Sequence, residues 1–273
     1  MPDEIIQSRQ NPLVKAIAKL WDRRSREQTD QFLIEGLREI HRAAENEIWI
    51  EQLFFCPGLF KDPAAQKELV ESARDNEVEC IEFGKEAFQK ISFREGPDGL
   101  LALAVKRSFL LEGASLPENP LLLVIERVEK PGNLGAIIRT AEAAGVDCII
   151  CCDPVTDIYN PHVIRNSQGL VFALPVFVEE SLKVIQFLKD NQVSSLATTP
   201  DTQSSIWSCD MSGPTAIVLG SESDGLTQTW LDQTDQRVLI PMRGTADSLN
   251  LSVSAAICLF EAARQRSMVS ESI

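Results

Sequence analysis

Residues 240–258 read IPMRGTADSLNLSVSAAIC. Just before them, Val238, Leu239 and Ile240 form an apolar run that Pro241 stops, which predicts a buried strand ending there. Gly244, Thr245 and Ala246 then give a loop with little side-chain bulk. From Ser248-Leu249-Asn250-Leu251-Ser252 the chain enters a predicted helix in which Val253, Ile257 and Phe260 recur at helical spacing. A strand end feeding a bare loop and a helix start leaves unpaired backbone groups facing a crevice, where a ligand can use them. An ordinary strand–loop–helix connection capped by a Ser or Asn is the other reading of these residues alone.

Outward from this stretch, strands alternate with helices. LLLVIE at 121–126 predicts a buried strand, and 134–144 a helix turning Ile137, Ile138 and Ala141 inward, with Gly145 as its C-cap. VDCIICC at 146–152 is the next parallel strand, which completes a βαβ unit. Helices are expected at 160–167, with Pro161 in the first turn, and at 182–190; strands are expected at 195–198 and 215–219. This half therefore reads as a doubly wound parallel sheet of about half a dozen strands.

Two further stretches stand with the first. Residues 131–145 read PGNLGAIIRTAEAAG and residues 219–226 read LGSESDGL, each after an apolar strand. Asn133, Gly135 and Arg139 make Asn-x-Gly-x-x-x-Arg; Gly220, Glu222 and Gly225 make Gly-x-Glu-x-x-Gly. Pro241, Met242, Gly244, Ser248, Leu249 and Asn250 make Pro-Met-x-Gly-x-x-x-Ser-Leu-Asn. In this order the three resemble the signature motifs of the SpoU/TrmH branch of the SPOUT methyltransferases, which methylate ribose 2′-oxygens of RNA with S-adenosylmethionine. The resemblance covers residues 119–266, and a weaker one extends upstream.

The resemblance implies a trefoil knot in which the C-terminal segment threads a preceding loop, a feature no sequence pattern reveals. It implies a pocket for S-adenosylmethionine made by the loops after three strands, with Thr198, Leu219, Gly220, Ser221, Glu222, Ile240, Met242, Ser248 and Leu249 against the cofactor. The catalytic set it implies is Asn133, Arg139, Glu222, Ser248 and Asn250. In the family the arginine is proposed to help deprotonate the ribose hydroxyl. A guanidinium stays protonated in proteins, so binding a phosphate beside that hydroxyl is physically easier to defend. Arg139 follows Asn133 by six residues, nearly two helical turns, and the two are expected on one side of a helix. Asn133 positions the substrate or Arg139, or caps the helix. Glu222 orients Arg139 or Asn133, or is a surface carboxylate. Ser248 and Asn250 bond the substrate, hold the cofactor loop, or cap the helix. Arg165, in NPHVIRNSQG, resembles a further family segment that contacts RNA, although Asn166 departs from the small residue expected beside it. Arg243 and Asp247 fall at variable motif positions and stay outside the catalytic set. The resemblance also implies a homodimer through the knotted region, with Arg139 supplied across the interface; the apolar helix at 251–263 suits one.

The first hundred residues read as a separate α/β/α domain. Residues 11–26 predict one amphipathic helix with Leu13, Ile17 and Leu20 inward and a basic outer face. Strands follow at 32–35, 53–55, 78–83 and 99–105, with helices at 37–46, 62–73 and 85–91. SRQNPLVKAIAKL and FLIEGLREIHRAA resemble the substrate-binding domain that precedes the catalytic domain in many of these enzymes, a fold related to ribosomal RNA-binding proteins. The division expected is a basic helical arm at 1–28, the small RNA-binding domain at 29–106, a linker at 107–119 and the methyltransferase domain at 120–268.

Composition narrows the alternatives. A net charge of −14 argues against nonspecific nucleic-acid binding by the whole surface. Between Ile5 and Thr29, however, six basic residues stand against two acidic ones. Arg9, Lys15, Arg23 and Arg24 are candidate RNA contacts there, beside Arg139 and Arg165, or else line a solvated helix face. Seven cysteines and two histidines, scattered, favour buried structural thiols over a metal site. No apolar run approaches the ~20 residues of a membrane helix, and the N-terminus, with Asp3 and Glu4, has no signal-peptide centre. A cytoplasmic protein is expected. The function the resemblance implies is methyl transfer to a ribose 2′-hydroxyl of ribosomal or transfer RNA, the extra domain favouring ribosomal RNA. The rivals are a noncatalytic RNA-binding protein that kept the fold and, more remotely, a nucleotide-dependent oxidoreductase, for which the Gly-x-Gly-x-x-Gly fingerprint is missing.

Overall fold

A computed structural model describes residues 5–270; Asp3 and Glu4 lie outside the described residues. The chain folds as two compact units: one of residues up to Arg107 together with Tyr159–Ala173, the other of Ser108–Ile158 and the residues from Leu174 onward.

The first unit comprises α1 (Pro12–Lys19), α2 (Arg23–Thr29), β1 (Gln31–Glu35), α3 (Leu37–Glu45), β2 (Ile50–Phe55), α4 (Pro63–Asp75), β3 (Glu79–Glu82), α5 (Lys85–Ile91) and β4 (Leu100–Val105). Its sheet runs β1-β4-β2-β3, with β4 antiparallel to both neighbours and β2 parallel to β3. Val14, Ile17 and Leu20 bury against Leu33, Phe54, Phe88 and Leu101, so the expected arm is part of this unit's core. The single helix expected at 11–26 is in fact two. Asp22 accepts from the Arg24 N–H at 2.9 Å and starts the second helix, because an Asx cap competes with helix continuation. Arg26, expected on the outer face, is buried and donates to the Leu20 and Trp21 carbonyls at 3.0 and 2.8 Å.

The segment Tyr159–Ala173 was expected in the catalytic half, but it completes the first unit. It carries α7 (Pro161–Asn166), capped by Asn160, whose side chain accepts from the His162 N–H. Phe32 packs its ring 4.4 Å from Tyr159 and 5.8 Å from Phe172, and the Arg107 N–H donates to the Tyr159 hydroxyl at 2.9 Å. Aromatic rings bury large areas, and this face of β1 supplies the partner. The expected linker is also ordered: Phe109, Leu111, Ala114 and Leu116 pack on the core of the second unit.

The second unit holds β5 (Leu121–Glu126), α6 (Pro131–Ala143), β6 (Cys148–Cys152), β7 (Val176–Glu179), α8 (Ser181–Asp190), β8 (Ser194–Thr198), β9 (Thr215–Leu219), α9 (Gln228–Gln233), β10 (Gln236–Val238) and α10 (Leu251–Ser270). All neighbours are parallel, in the order β10-β8-β9-β5-β6-β7. The largely apolar, fully buried runs of β5, β6 and β9 explain their inner places, since a parallel sheet covered on both faces needs strands buried on both sides. Cys148, Cys151 and Cys152 are buried within β6 as small apolar side chains, and desolvation pushes the Cys148 and Cys151 thiols up to about 12. Among the described residues, no three His, Cys, Asp or Glu side chains gather as metal ligands, and no helix is long and apolar enough to cross a membrane.

Two expectations for the deciding stretch shift. The strand ends at Val238 rather than Ile240; Leu239 makes only an isolated bridge to Ser205. In α10 the apolar side chains that bury are Leu251, Ala255, Cys258, Leu259 and Ala262, whereas Val253 and Phe260 face outward, 45% and 52% exposed. The helix is apolar on both sides, so periodicity alone does not choose its inner face.

Candidate active site

Chain order reverses between β5 and β9: β6 and β7 build outward on one side, β8 and β10 on the other. In open parallel sheets the crevice at the carboxyl ends beside such a switch point is where ligands bind. The loops that leave β5 and β9 meet there. Glu222, after β9, accepts hydrogen bonds from the Glu129 N–H (3.1 Å), the Lys130 N–H (3.2 Å) and the Asn133 amide (2.7 Å). The Ser223 hydroxyl adds a bond to Glu129 at 2.6 Å. Asn250 then donates its amide to the Asn133 side-chain oxygen at 3.2 Å. One residue from each of the three motifs is thus joined in a single chain of hydrogen bonds.

This geometry decides among the roles left open. Burial pushes the Glu222 carboxyl up, but the Asn133 amide and the backbone N–H groups of Glu129 and Lys130 outweigh it and hold the group below the ordinary glutamate range. A carboxylate ionised and engaged by three donors is a poor proton acceptor at neutral pH and a good anchor. Within this chain Glu222 bonds Asn133. Asn133 is not the helix cap: α6 begins at Pro131, after Lys130. Asn250 does cap α10, its side-chain oxygen accepting from the Ser252 N–H at 2.9 Å, so its oxygen serves the helix while its amide serves Asn133.

Arg139 departs from expectation. Six steps of about 100° leave it about 120° around α6 from Asn133. Asn133 is half-buried in the cluster, whereas Arg139 is exposed and forms no hydrogen bond or ion pair with the described residues. Its guanidinium is open to an anion from outside the chain.

Beside the cluster lies a cleft of about 150 Å³, at the carboxyl ends of β8 and β10. Of the expected cofactor residues, Thr198, Ile240, Met242, Ser248 and Leu249 line it. Leu219, Gly220, Ser221 and Glu222 do not. Leu219 is buried in the sheet. Gly220 is needed by the turn itself: a Cβ there would lie 2.0 Å from the Gly225 carbonyl carbon, while Ser221 and Gly225 exchange backbone hydrogen bonds at 3.0 and 3.2 Å. The cleft adds Thr199, Pro200, Leu239, Asp247 and Ser254, which sequence reasoning missed. Pro200, closing a strand end, was the available signal; Asp247 sat at a position set aside as variable. The cleft is smaller than the roughly 300 Å³ of a site that encloses a drug-sized ligand. Residues 241–250 beside it are all exposed.

The basic candidates lie in the first unit, apart from Arg139. Arg9, Lys15, Arg23 and Arg24 are exposed, with Arg23 paired to Glu27 at 2.7 Å. Arg165 is exposed on α7 and lines a small recess with Trp21, Phe93 and Arg94.

Comparison with known proteins gives the family. The family model described as the SpoU rRNA methylase family matches residues 120–260, and that of an MRM3-like substrate binding domain matches residues 11–102. The chain is 30% identical over 261 residues to a 23S rRNA (guanosine(2553)-2′-O)-methyltransferase of Bacillus subtilis, covering 93% of this chain and 97% of the relative. A crystal structure of an RNA 2′-O ribose methyltransferase is similar with a TM-score of 0.85 and 38% identity, over 97% of this chain and 100% of the other. An AdoMet-bound rRNA methyltransferase from Sinorhizobium meliloti is similar with a TM-score of 0.88 and 28% identity, over 96% and 97%.

Proposed function

The chain belongs to the SpoU rRNA methylase family, and on that premise we propose that it transfers a methyl group from S-adenosylmethionine to a ribose 2′-hydroxyl of structured RNA, ribosomal RNA before transfer RNA. The observation that carries the reading is the bonded series Glu222–Asn133–Asn250, which ends one residue from the cleft-lining Ser248-Leu249 pair. The cofactor fits the residues present. Leu239, Ile240, Met242 and Leu249 offer an apolar wall for a purine, and the Asp247 carboxylate suits a cationic ligand.

When bound, S-adenosylmethionine supplies an electrophilic methyl carbon. Transfer to an oxygen needs sulfur, carbon and oxygen nearly in line, so much of the work is positioning. Glu222 fixes Asn133, and Asn133 with Asn250 fixes the loop that carries Ser248 and Leu249. Arg139 binds an RNA phosphate next to the reacting ribose; as a permanent cation it holds the backbone rather than taking the proton, which leaves to water at the exposed face as the sulfonium becomes a neutral thioether. Arg9, Lys15, Arg24 and Arg165 grip the RNA from the substrate-binding unit. Family membership further implies the trefoil knot and a homodimer. The outward Val253 and Phe260 on α10 support a dimer through that helix and the supply of Arg139 to a partner's site. This reading places the protein in the cytoplasm with its RNA.

Calorimetry with S-adenosylmethionine, paired with a map of 2′-O-methylated ribosomal RNA positions in cells with and without the protein, tests the reading. Cofactor binding and one lost methylation site are expected. Absence of cofactor binding would leave the noncatalytic RNA-binding reading in its place.

A further inference from the structure

The substrate-binding unit carries a second recess that the methyl-transfer reading does not use. Between α3 and α4 a groove of about 810 Å³ runs over the sheet, floored by Ile40, Leu53 and Leu69. Trp49 lies along it with 72% of its surface exposed, leaving a large aromatic ring open beside the apolar floor. Among the described residues, the charged side chains lining the groove are Glu47, Glu51 and Glu77, with no Lys, Arg or His. The carboxyl-terminal ends of α3, at Glu45, and α4, at Asp75, fall beside the same groove, and helix C-termini add negative potential. A neighbouring recess between the same helices, which shares Ala44, Leu69 and Ser72 with the groove, mixes both signs of charge, so the acidic character is local to Trp49.

From the apolar floor, the open indole and the one-signed rim, we infer that this groove docks a lysine- or arginine-rich polypeptide segment of a partner protein. A cation lies over the Trp49 ring within reach of Glu47 and Glu77, and apolar residues of the segment enter over Leu69 and Leu53. RNA is disfavoured here, because three carboxylates and two helix C-termini repel a phosphate backbone. The function is separate from the chemistry in the second unit, so the two readings stand or fall independently.

The positions of the two glutamates give the test its discriminating arm. Glu47 and Glu77 follow the C-caps of α3 and α4 with φ of +58° and +60°, the conformation that favours glycine. Binding of a fluorescently labelled Lys/Leu peptide to the full chain is to be measured by anisotropy, with a Glu/Leu peptide and a single-stranded RNA oligonucleotide as competitors. The Lys/Leu peptide should bind, and Trp49→Ala should weaken it about fivefold to tenfold, the scale of a lost cation–π contact with its packing. The double variant Glu47→Gly with Glu77→Gly should raise the melting temperature yet weaken peptide binding, with methylation unchanged in both variants. Peptide binding that is absent in the unaltered protein, or indifferent to these variants, overturns the proposal. Displacement of the peptide by RNA overturns it too and gives the groove to the substrate.

Discussion

Glu222 shows how one carboxylate can serve a site without reacting in it. It accepts from three donors and is held ionised, and glutamine offers one acceptor oxygen in place of two. Glu222→Gln should therefore leave a donor unpaired at a local cost of about 1–3 kcal/mol, lowering kcat more than it lowers thermal stability. The pH sign follows from the direction of the shift. A depressed folded pKa stabilises fully above the ordinary value of 4.5 and is lost as pH falls through the lower folded value. Acid melting curves of the unaltered protein and Glu222→Gln should thus be fully separated above pH 4.5 and converge as the pH falls through the lower folded value. Arg139 is the complementary case, an exposed cation without a partner among the described residues. Arg139→Ala should abolish methylation with cofactor affinity nearly unchanged, and Arg139→Lys should keep part of the activity, as a point charge still finds a phosphate. A collapse of cofactor affinity in Arg139→Ala would make the residue structural.

At the scale of elements, α10 joins the site to the fold from both of its ends. Asn250 at its start has two separable duties. Asn250→Asp keeps the capping oxygen and adds favourable charge at a helix N-terminus, but removes the amide that reaches Asn133. It should retain the melting temperature and lose turnover, whereas Asn250→Ala should lose both, with about 1 kcal/mol from the cap. Near the other end Arg266 donates to the carbonyls of Asn119, Pro120, Met211 and Gly213 at 2.6–3.1 Å. Arg266→Ala should destabilise the second unit by about 3 kcal/mol, read as a lower denaturation midpoint, since those carbonyls lose a charged donor. The helix itself was legible in the sequence from 251 onward; its inner face was not, because an apolar stripe exists on both sides and the packing of α10 on α6 chose between them.

Over the whole molecule, a net −14 coexists with an N-terminal patch of the opposite sign. Counterion release makes RNA affinity fall with salt in proportion to the phosphates contacted. Arg24→Ala with Lys15→Ala should reduce the salt dependence of RNA binding by about one unit of log–log slope per contact removed; an unchanged slope would assign these residues to solvent. Deleting the segment is no test, because Val14, Ile17 and Leu20 belong to the core. Local pattern alone determined the strands β4, β5, β6 and β9, the helices α5 and α6, the α/β class and the three motifs, since apolar runs and caps are properties of neighbours in the chain. Tertiary structure decided the rest. It moved Tyr159–Ala173 into the first unit, and joined Asn133 to Glu222 across 89 residues and to Asn250 across 117. Such contacts depend on which surfaces remain open once the sheets have closed. No stretch of chain carries that information by itself.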